Sequence, residues 1–163
     1  ILTKDRGVAV AVTFADCPPV LLFDRKKRIV GAIHCSYQTV LDDIIDKTLL
    51  VAMDGGVCLS DLLVIIGPGI CGGCYEIGEN VLHRYKGYGE FISRRDGRIF
   101  ADLKGIIIRK FIDSNISRKN VFIYPKCTFC ETGINGQPAY FSARRDKKRP
   151  PEVEAGLAAI CMT

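Results

Sequence analysis

The stretch TFADCPPVLLFDRKKRIVGAIHCSYQ, residues 13–38, contains two apolar runs on either side of a basic segment. Residues 20–23 and 29–34 have the branched and aromatic content typical of strands, and residues 24–28 have the charge of a solvated turn. Upstream, residues 7–14 form another β-type run. The pattern therefore predicts three successive strands at the start of the chain.

The rest of the sequence alternates between helical and strand-like patterns without a strict βαβ order. Predicted helices cover residues 39–53, 75–85 and 100–115, and further predicted strands cover residues 61–67, 120–124 and 156–162. A length of 163 residues with 48% hydrophobic content suits one domain with a sizeable core. We expect a single α+β (mixed α/β) domain spanning residues 1–163, with a large mixed β-sheet flanked by helices.

Composition limits the kinds of partner and the cellular compartment that we expect for this chain. The net charge of +5 is modest, and its basic clusters lack interleaved aromatic residues, so we expect no nucleic-acid partner. The apolar runs are too short for membrane spans, and no signal peptide is visible. We therefore expect a cytoplasmic protein with reduced thiols. The chain starts at Ile1 rather than methionine, and we expect an N-terminal portion to be missing.

Cys17 and His34 are predicted at or just past the ends of neighbouring strands. A thiolate is both a zinc ligand and a nucleophile, and a neutral imidazole is both a zinc ligand and a base. A buried cysteine and a satisfied core histidine are equally ordinary. These two residues alone leave a metal site, a catalytic pair and a structural role open.

Two further clusters carry chemistry. The first is Cys71-x-x-Cys74 with Cys127-x-x-Cys130, whose pairs could form a structural zinc site. The two pairs are much further apart in the chain than in a usual zinc ribbon, and the glycine-rich loop of the first pair could instead present backbone N–H groups to an anion at a helix N-terminus. The second is Arg144-Arg145, whose guanidinium groups suit phosphate.

Five motifs occur in order along nearly the whole chain: TFADCPPVLL, HCSYQ, IGPGICGGCYEIG, CTFC and YFSARRD. Together they resemble the bacterial YfiH family, which is also called the multicopper polyphenol oxidase (laccase) family and is described as zinc-dependent purine nucleoside phosphorylases. The resemblance implies a YfiH-like fold. It also implies phosphorolysis of adenosine, inosine, guanosine and methylthioadenosine, with adenosine deaminase activity alongside.

The resemblance also implies roles for particular residues. Cys17 and His34 match two family metal ligands and would be catalytic and zinc-binding, with copper as the alternative metal. The third ligand belongs to an upstream V-H-G motif that this chain does not contain, and His83 does not match it. The substrate-binding positions implied are those of the remaining motifs: Arg144, Arg145, Tyr75 and Cys127. The partners implied are a purine nucleoside and phosphate, with no nucleic acid and no membrane.

One motif departs from the family pattern H-A-G-W-R, which reads HCSYQ here. Gln38 therefore stands where the pattern has arginine, and glutamine has neither the charge nor the fork of that side chain. The alternatives are a cysteine hydrolase or deamidase that uses Cys17 and His34, a laccase-like copper oxidase, and a divergent member without activity. Only two histidines in the chain make a multicopper cluster the least favoured of these.

Overall fold

The computed structural model describes residues 1–147 and 154–163. The strands are β1 (Leu2–Thr3), β2 (Ala9–Phe14), β3 (Pro19–Asp24), β4 (Ile29–His34), β5 (Leu63–Ile66), β6 (Glu76–Ile77), β7 (Ile92–Arg95), β8 (Arg98–Ala101), β9 (Val121–Ile123) and β10 (Gly156–Cys161). The α-helices are α1 (Tyr37–Leu41), α2 (Ile44–Asp54), α3 (Glu79–Leu82), α4 (Leu103–Asp113) and α5 (Ala143–Asp146). Among these described residues, no helix has the length and hydropathy needed to cross a bilayer.

The main sheet has five strands in the order β1-β4-β3-β5-β9. Strand β3 is antiparallel to β4 and β5, whereas β5 is parallel to β9, so the sheet is mixed as the sequence predicts. Strands β6, β8 and β7 form a smaller sheet, and β2 pairs with β10 in a two-stranded ribbon. The register of β3 and β4 sets Pro19 opposite His34.

The two faces of the main sheet bury different cores. On one face, alternate residues of the central strands, such as Val20 and Leu22, pack in the main core with Leu49 of α2 and Phe111 of α4. The other face packs against the β2–β10 ribbon in a smaller apolar cluster that includes Val30. The period-2 alternation of β3 is what allows both faces to be covered. The fold is therefore the mixed α+β class that the sequence predicts.

Helices α2 and α4 are also joined by a buried cation. The Lys110 Nζ atom of α4 donates to Asp43 Oδ1 at 2.7 Å and to Asp46 Oδ2 at 2.9 Å. Burial opposes the charge on Lys110, but the two carboxylates outweigh that cost and raise its pKa. The ion pairs allow an otherwise apolar interface to contain a lysine.

Three sequence predictions of local structure are corrected. The single helix predicted over residues 39–53 is two helices, because Asp43 adopts a left-handed backbone with φ of 64°. Residues 75–85 begin with strand β6 before α3 and a 3₁₀ turn, not with a helix. The helix predicted from residue 100 begins at Leu103, since Phe100 belongs to β8.

The β7–β8 hairpin was missed altogether, although its signal is present in the sequence. Asp96 and Gly97 at its tip both have positive φ, at 49° and 72°. An Asp-Gly pair of this kind is a strong two-residue hairpin signal. Because β7 is largely polar and basic and β8 is a continuous apolar run after Arg98, the alternation that normally accompanies a hairpin is weak here.

Leu22 tests the main core. It is 1% exposed in the central strand β3, so Leu22→Ala leaves a cavity between the sheet and the helices and should cost about 2–5 kcal/mol of unfolding free energy. Leu50→Ala is the matched control, because Leu50 on α2 is 57% exposed and should change stability by less than about 0.5 kcal/mol. Urea denaturation of both variants measures the difference. Equal stability of the two would contradict this core.

Candidate active site

A cavity of about 320 Å³ opens where β4, the glycine-rich loop and α5 meet. This volume is at the lower end of the range for small-molecule sites. The cavity is lined by Ala15, Asp16, Cys17, Ser36, Tyr37, Gln38, Ile70, Tyr75, Leu103, Ala143 and Arg144. Four of the five sequence motifs therefore contribute to one site, although they are far apart in the chain.

Asp16 organises the base of this cavity. Its buried carboxylate accepts hydrogen bonds from Thr128 Oγ1 at 2.6 Å, from Ser142 Oγ at 3.0 Å and from the backbone N–H of Arg144 at 2.8 Å. Its own carbonyl accepts from the N–H of Ile70 at 2.9 Å. The residue adopts a φ of 88°, which is unfavourable for a side chain other than glycine. These four hydrogen bonds hold Asp16 in that conformation.

Cys17 presents its thiol to the cavity directly after Asp16. Two prolines follow it and restrict the backbone that carries the thiol. Burial raises the pKa of the Cys17 thiol, the Asp16 carboxylate raises it further, and the Arg144 guanidinium partly offsets both effects. The thiol therefore has the accessibility of a ligand or nucleophile, but its immediate surroundings favour the protonated form.

His34 ends β4 and is exposed, next to the cavity rather than on its lining surface. Its Nδ1 atom is 2.9 Å from the carbonyl oxygen of Thr13. A histidine that ligates a metal characteristically donates its second ring N–H to such an acceptor, which fixes the ring and leaves Nε2 for the metal. Because Pro19 pairs with His34 across the sheet, Cys17 lies two residues before the start of the strand that neighbours His34. The His34 ring therefore has the hydrogen bond expected of a metal ligand.

The wall formed by Tyr75 and Arg144 combines an aromatic ring with a cation. The guanidinium carbon of Arg144 lies 5.1 Å from the centroid of the Tyr75 ring, within the range of a cation–π interaction. Arg144 Nη1 also donates to the carbonyl oxygen of Glu76 at 2.8 Å. One of five guanidinium N–H groups is used in this contact, so the fork retains donors for an anion.

The adjacent arginine faces another way. Arg145 donates to the carbonyl oxygens of Phe129 at 2.7 Å and Tyr140 at 2.6 Å, and pairs with Asp146 at 2.7 Å. Its contacts therefore connect α5 to the loops that contain Phe129 and Tyr140. Arg145, which the family resemblance implied as a substrate-binding residue, is therefore not among the residues that line the cavity.

Cys127 was expected at the substrate-binding site, but the structure places it elsewhere. Cys127 is buried away from the cavity lining, in a group with Cys71, Cys74 and Cys130 that we name the four-cysteine cluster. All four sulfur atoms lie within 4.8 Å of one another. The cluster has the donor set and the spacing to hold a metal ion, although its two halves are distant in sequence.

The glycine-rich loop does not form the anion site that the sequence suggested. It leads into strand β6 rather than a helix, so its own backbone N–H groups do not form a helix N-terminus. Its glycines instead permit close packing: a Cβ at Gly69 would lie 2.6 Å from Pro18 Cγ, and one at Gly67 would lie 2.7 Å from Pro19 Cγ. The loop is therefore pressed against the segment that carries Cys17.

Eight of the eleven residues that line the cavity were not predicted as site residues. Three of them, Ser36, Tyr37 and Gln38, follow Cys35 just after the end of β4, and Ser36 caps α1 by accepting from the N–H of Thr39. The Tyr37 ring stacks with Tyr85 at 6.5 Å between centroids. The HCSYQ motif contained part of the signal, because Ser36 is a preferred N-cap residue and predicts a helix start directly after β4.

Comparison with known proteins identifies the family. The sequence model described as "Multi-copper polyphenol oxidoreductase laccase" matches residues 1–159. The chain therefore belongs to this family, the YfiH family. The crystal structure of Bacillus licheniformis hypothetical protein YfiH has the same fold, with a TM-score of 0.88 and 21% identity over 99% of this chain and 60% of that one.

Two relatives carry names that describe an activity. A purine nucleoside phosphorylase of Clostridium acetobutylicum is 33% identical over 152 residues, which cover 91% of this chain and 61% of that protein. Adenosine deaminase RL5, from an unknown prokaryotic organism, is 24% identical over 151 residues, covering 89% of this chain and 56% of that protein. The chain thus spans about three fifths of the length of these relatives.

Asp16 tests how the cavity is held together. Asp16→Ala leaves two hydroxyl groups and one backbone N–H without their buried acceptor, and should cost about 3–5 kcal/mol of unfolding free energy. Asp16→Gly loses the same acceptor but suits the positive φ, so it should be about 1 kcal/mol more stable than Asp16→Ala. Chemical denaturation measures both. Asp54→Ala, at an exposed position of α2, is the control, and a similar loss in that variant would contradict the role of Asp16.

Proposed function

We propose that this chain forms the active-site domain of a zinc-dependent purine nucleoside phosphorylase that also deaminates adenosine. The observation that carries the proposal is the cavity itself, which sets the Cys17 thiol beside an arginine stacked on a tyrosine. The names of the relatives support the same substrate class. A thiol, an anion-binding fork and aromatic surface are the groups that this chemistry needs within one small cavity.

Phosphate binding is assigned to Arg144. Its guanidinium is held in place by the Tyr75 ring and by the Glu76 carbonyl, so less side-chain entropy is lost when an anion binds. A phosphate oxygen positioned by this fork bonds to the ribose C1′ as the bond from C1′ to the purine nitrogen breaks. The purine takes the bonding electron pair and the proton of hydrogen phosphate, which yields ribose 1-phosphate and the free base.

Nucleoside binding is assigned to the aromatic and apolar part of the lining. Tyr37 and Tyr75 offer ring surface for the purine, and Ile70 and Leu103 exclude water beside them. Gln38 offers an amide donor and acceptor where the family pattern has an arginine. A neutral residue at this point suits an uncharged part of a nucleoside better than a second anion.

Zinc binding is assigned to Cys17 and His34, completed by a ligand from outside this chain. The hydrogen bond from the His34 ring to Thr13 fits this assignment, because it orients the ring for a metal. When bound, zinc would supply Lewis-acid activation of water or of a substrate oxygen, which deamination at purine C6 requires. Cys17 and His34 would serve by holding the ion at the edge of the cavity.

The other readings are less well supported by the site. A cysteine hydrolase needs a thiolate at Cys17, whereas burial and Asp16 raise the pKa of that thiol. Its base would be His34, whose ring is turned to the Thr13 carbonyl. A copper oxidase is favoured by the family description alone. If the assay finds that no nucleoside is converted, the chain is a divergent member of the family without this activity.

The assay is nucleoside turnover by the full-length protein with and without phosphate. We expect free base and ribose 1-phosphate from adenosine, inosine or methylthioadenosine only when phosphate is present, and inosine from adenosine without it. Chromatography of the products measures both. Cys17→Ser should abolish both reactions, since it removes a ligand, while Cys161→Ser on the exposed β10 strand should not. Base release that is independent of phosphate, or activity that survives Cys17→Ser, would contradict the proposal.

Arg144→Met isolates the phosphate site. The methionine keeps an apolar stem against Tyr75 but removes the guanidinium, so KM for phosphate should rise by about 10–100-fold, as expected for loss of charged hydrogen bonds. Arg94→Met is the control, because Arg94 lies exposed on β7 and pairs with Glu79. Steady-state kinetics with phosphate as the varied substrate measures the change. An unchanged KM for phosphate in Arg144→Met would exclude this arginine as the anion site.

A further inference from the structure

We propose that the four-cysteine cluster is a second metal centre, a closed structural zinc site separate from the site at Cys17 and His34. None of its four cysteines lines the cavity. The two halves come from the glycine-rich loop before β6 and from the loop after β9. The cluster thus joins these two loops.

The geometry suits a single ion. All four sulfur atoms lie within 4.8 Å of one another, and a tetrahedral zinc with bonds of about 2.3 Å needs sulfurs about 3.8 Å apart. An iron–sulfur cluster is a larger body and would separate its cysteine ligands further. All eight cysteines of the chain are unpaired thiols in this structure, so the four are available as ligands.

A backbone donor stabilises the thiolate form that a metal requires. The N–H of Cys71 donates to Cys127 Sγ at 3.2 Å. Hydrogen bonds of this kind are the outer-shell partners that orient metal ligands.

Two cations beside the cluster offset the charge that it would carry. Four thiolates around Zn²⁺ have a net charge of −2, which is costly to bury without compensation. The buried Lys104 Nζ is anchored to the carbonyl oxygens of Lys126 at 2.8 Å and Tyr124 at 3.3 Å, on the segment that leads to Cys127. Arg145 is held by the carbonyl oxygens of Thr128 and Phe129, the two residues between Cys127 and Cys130. A neutral pair of disulfides would need neither cation.

A metal at the four-cysteine cluster would also affect the cavity, because two of the cysteines are adjacent in sequence to residues of the active site. Tyr75 comes directly after Cys74, and Thr128, which bonds to Asp16, comes directly after Cys127. A metal at the cluster therefore fixes one cavity wall and one partner of Asp16 at the same time. Because four thiolates fill every position of a tetrahedral ion, the site has no vacancy for substrate, and its role is structural.

The first experiment uses the wild-type, full-length protein purified under reducing conditions without added metal. We expect elemental analysis to find zinc, and replacement by Co²⁺ to give intense thiolate-to-cobalt charge-transfer bands with the visible bands of a tetrahedral site. Cys17→Ser should keep those bands, since that site supplies one thiolate and the cluster supplies four. This readout needs no turnover, so a failure of the proposed phosphorolysis leaves it unaffected.

The second experiment compares serine variants. Cys130→Ser, at an exposed ligand position, should lose about one zinc per chain and lower the Tm, whereas Cys161→Ser, at an exposed position of β10, should keep both. The proposal is overturned by a protein whose zinc content is the same in both variants, by a disulfide within the cluster in mass spectra of the alkylated protein, or by an iron chromophore. Because the cobalt spectrum is taken on wild-type protein, it decides the question even if Cys130→Ser does not fold.

Discussion

The buried carboxylate of Asp16 is the interaction on which the rest of the site depends. It joins the segment before β3 to the loop after β9 through Thr128 and to α5 through Ser142 and Arg144, and its carbonyl holds the glycine-rich loop at Ile70. Four stretches of chain that are distant in sequence therefore meet at one residue. A carboxylate is suited to this, because it accepts several hydrogen bonds at once and forms stronger ones than a neutral acceptor.

Local sequence patterns were sufficient to predict most of the strands. Strand β4 matches its predicted bounds, β2, β5, β9 and β10 fall within the predicted runs, and β3 extends one residue beyond its predicted run at each end, because the apolar content of these strands is set by burial against a sheet. Prediction failed where single residues decide the backbone. The left-handed conformation of Asp43 divides one periodic run into two helices, and nothing in the periodicity records it.

The site could be predicted only in part. Ordered motifs indicated Cys17, Tyr75 and Arg144, which the cavity brings together, but not the side on which each arginine lies. The meeting of Cys71 with Cys127 is a product of the parallel pairing of β5 with β9, whose following loops lie side by side. Spacing along the chain carries no information about such a contact. The spacing typical of zinc ribbons therefore argued against the four-cysteine cluster, which the sheet topology creates.

The divergence of Arg144 and Arg145 has a consequence for how this segment can change in evolution. The two side chains leave α5, a single turn of four residues, in different directions, one to the cavity and one to the loop carbonyls. Loss or gain of one residue between Tyr140 and Ser142 would shift each arginine by one position in the turn, so that only one of the two directions would still carry a guanidinium. Surface connections usually accept insertions and deletions, yet here the length of the connection is as constrained as the identity of the arginines.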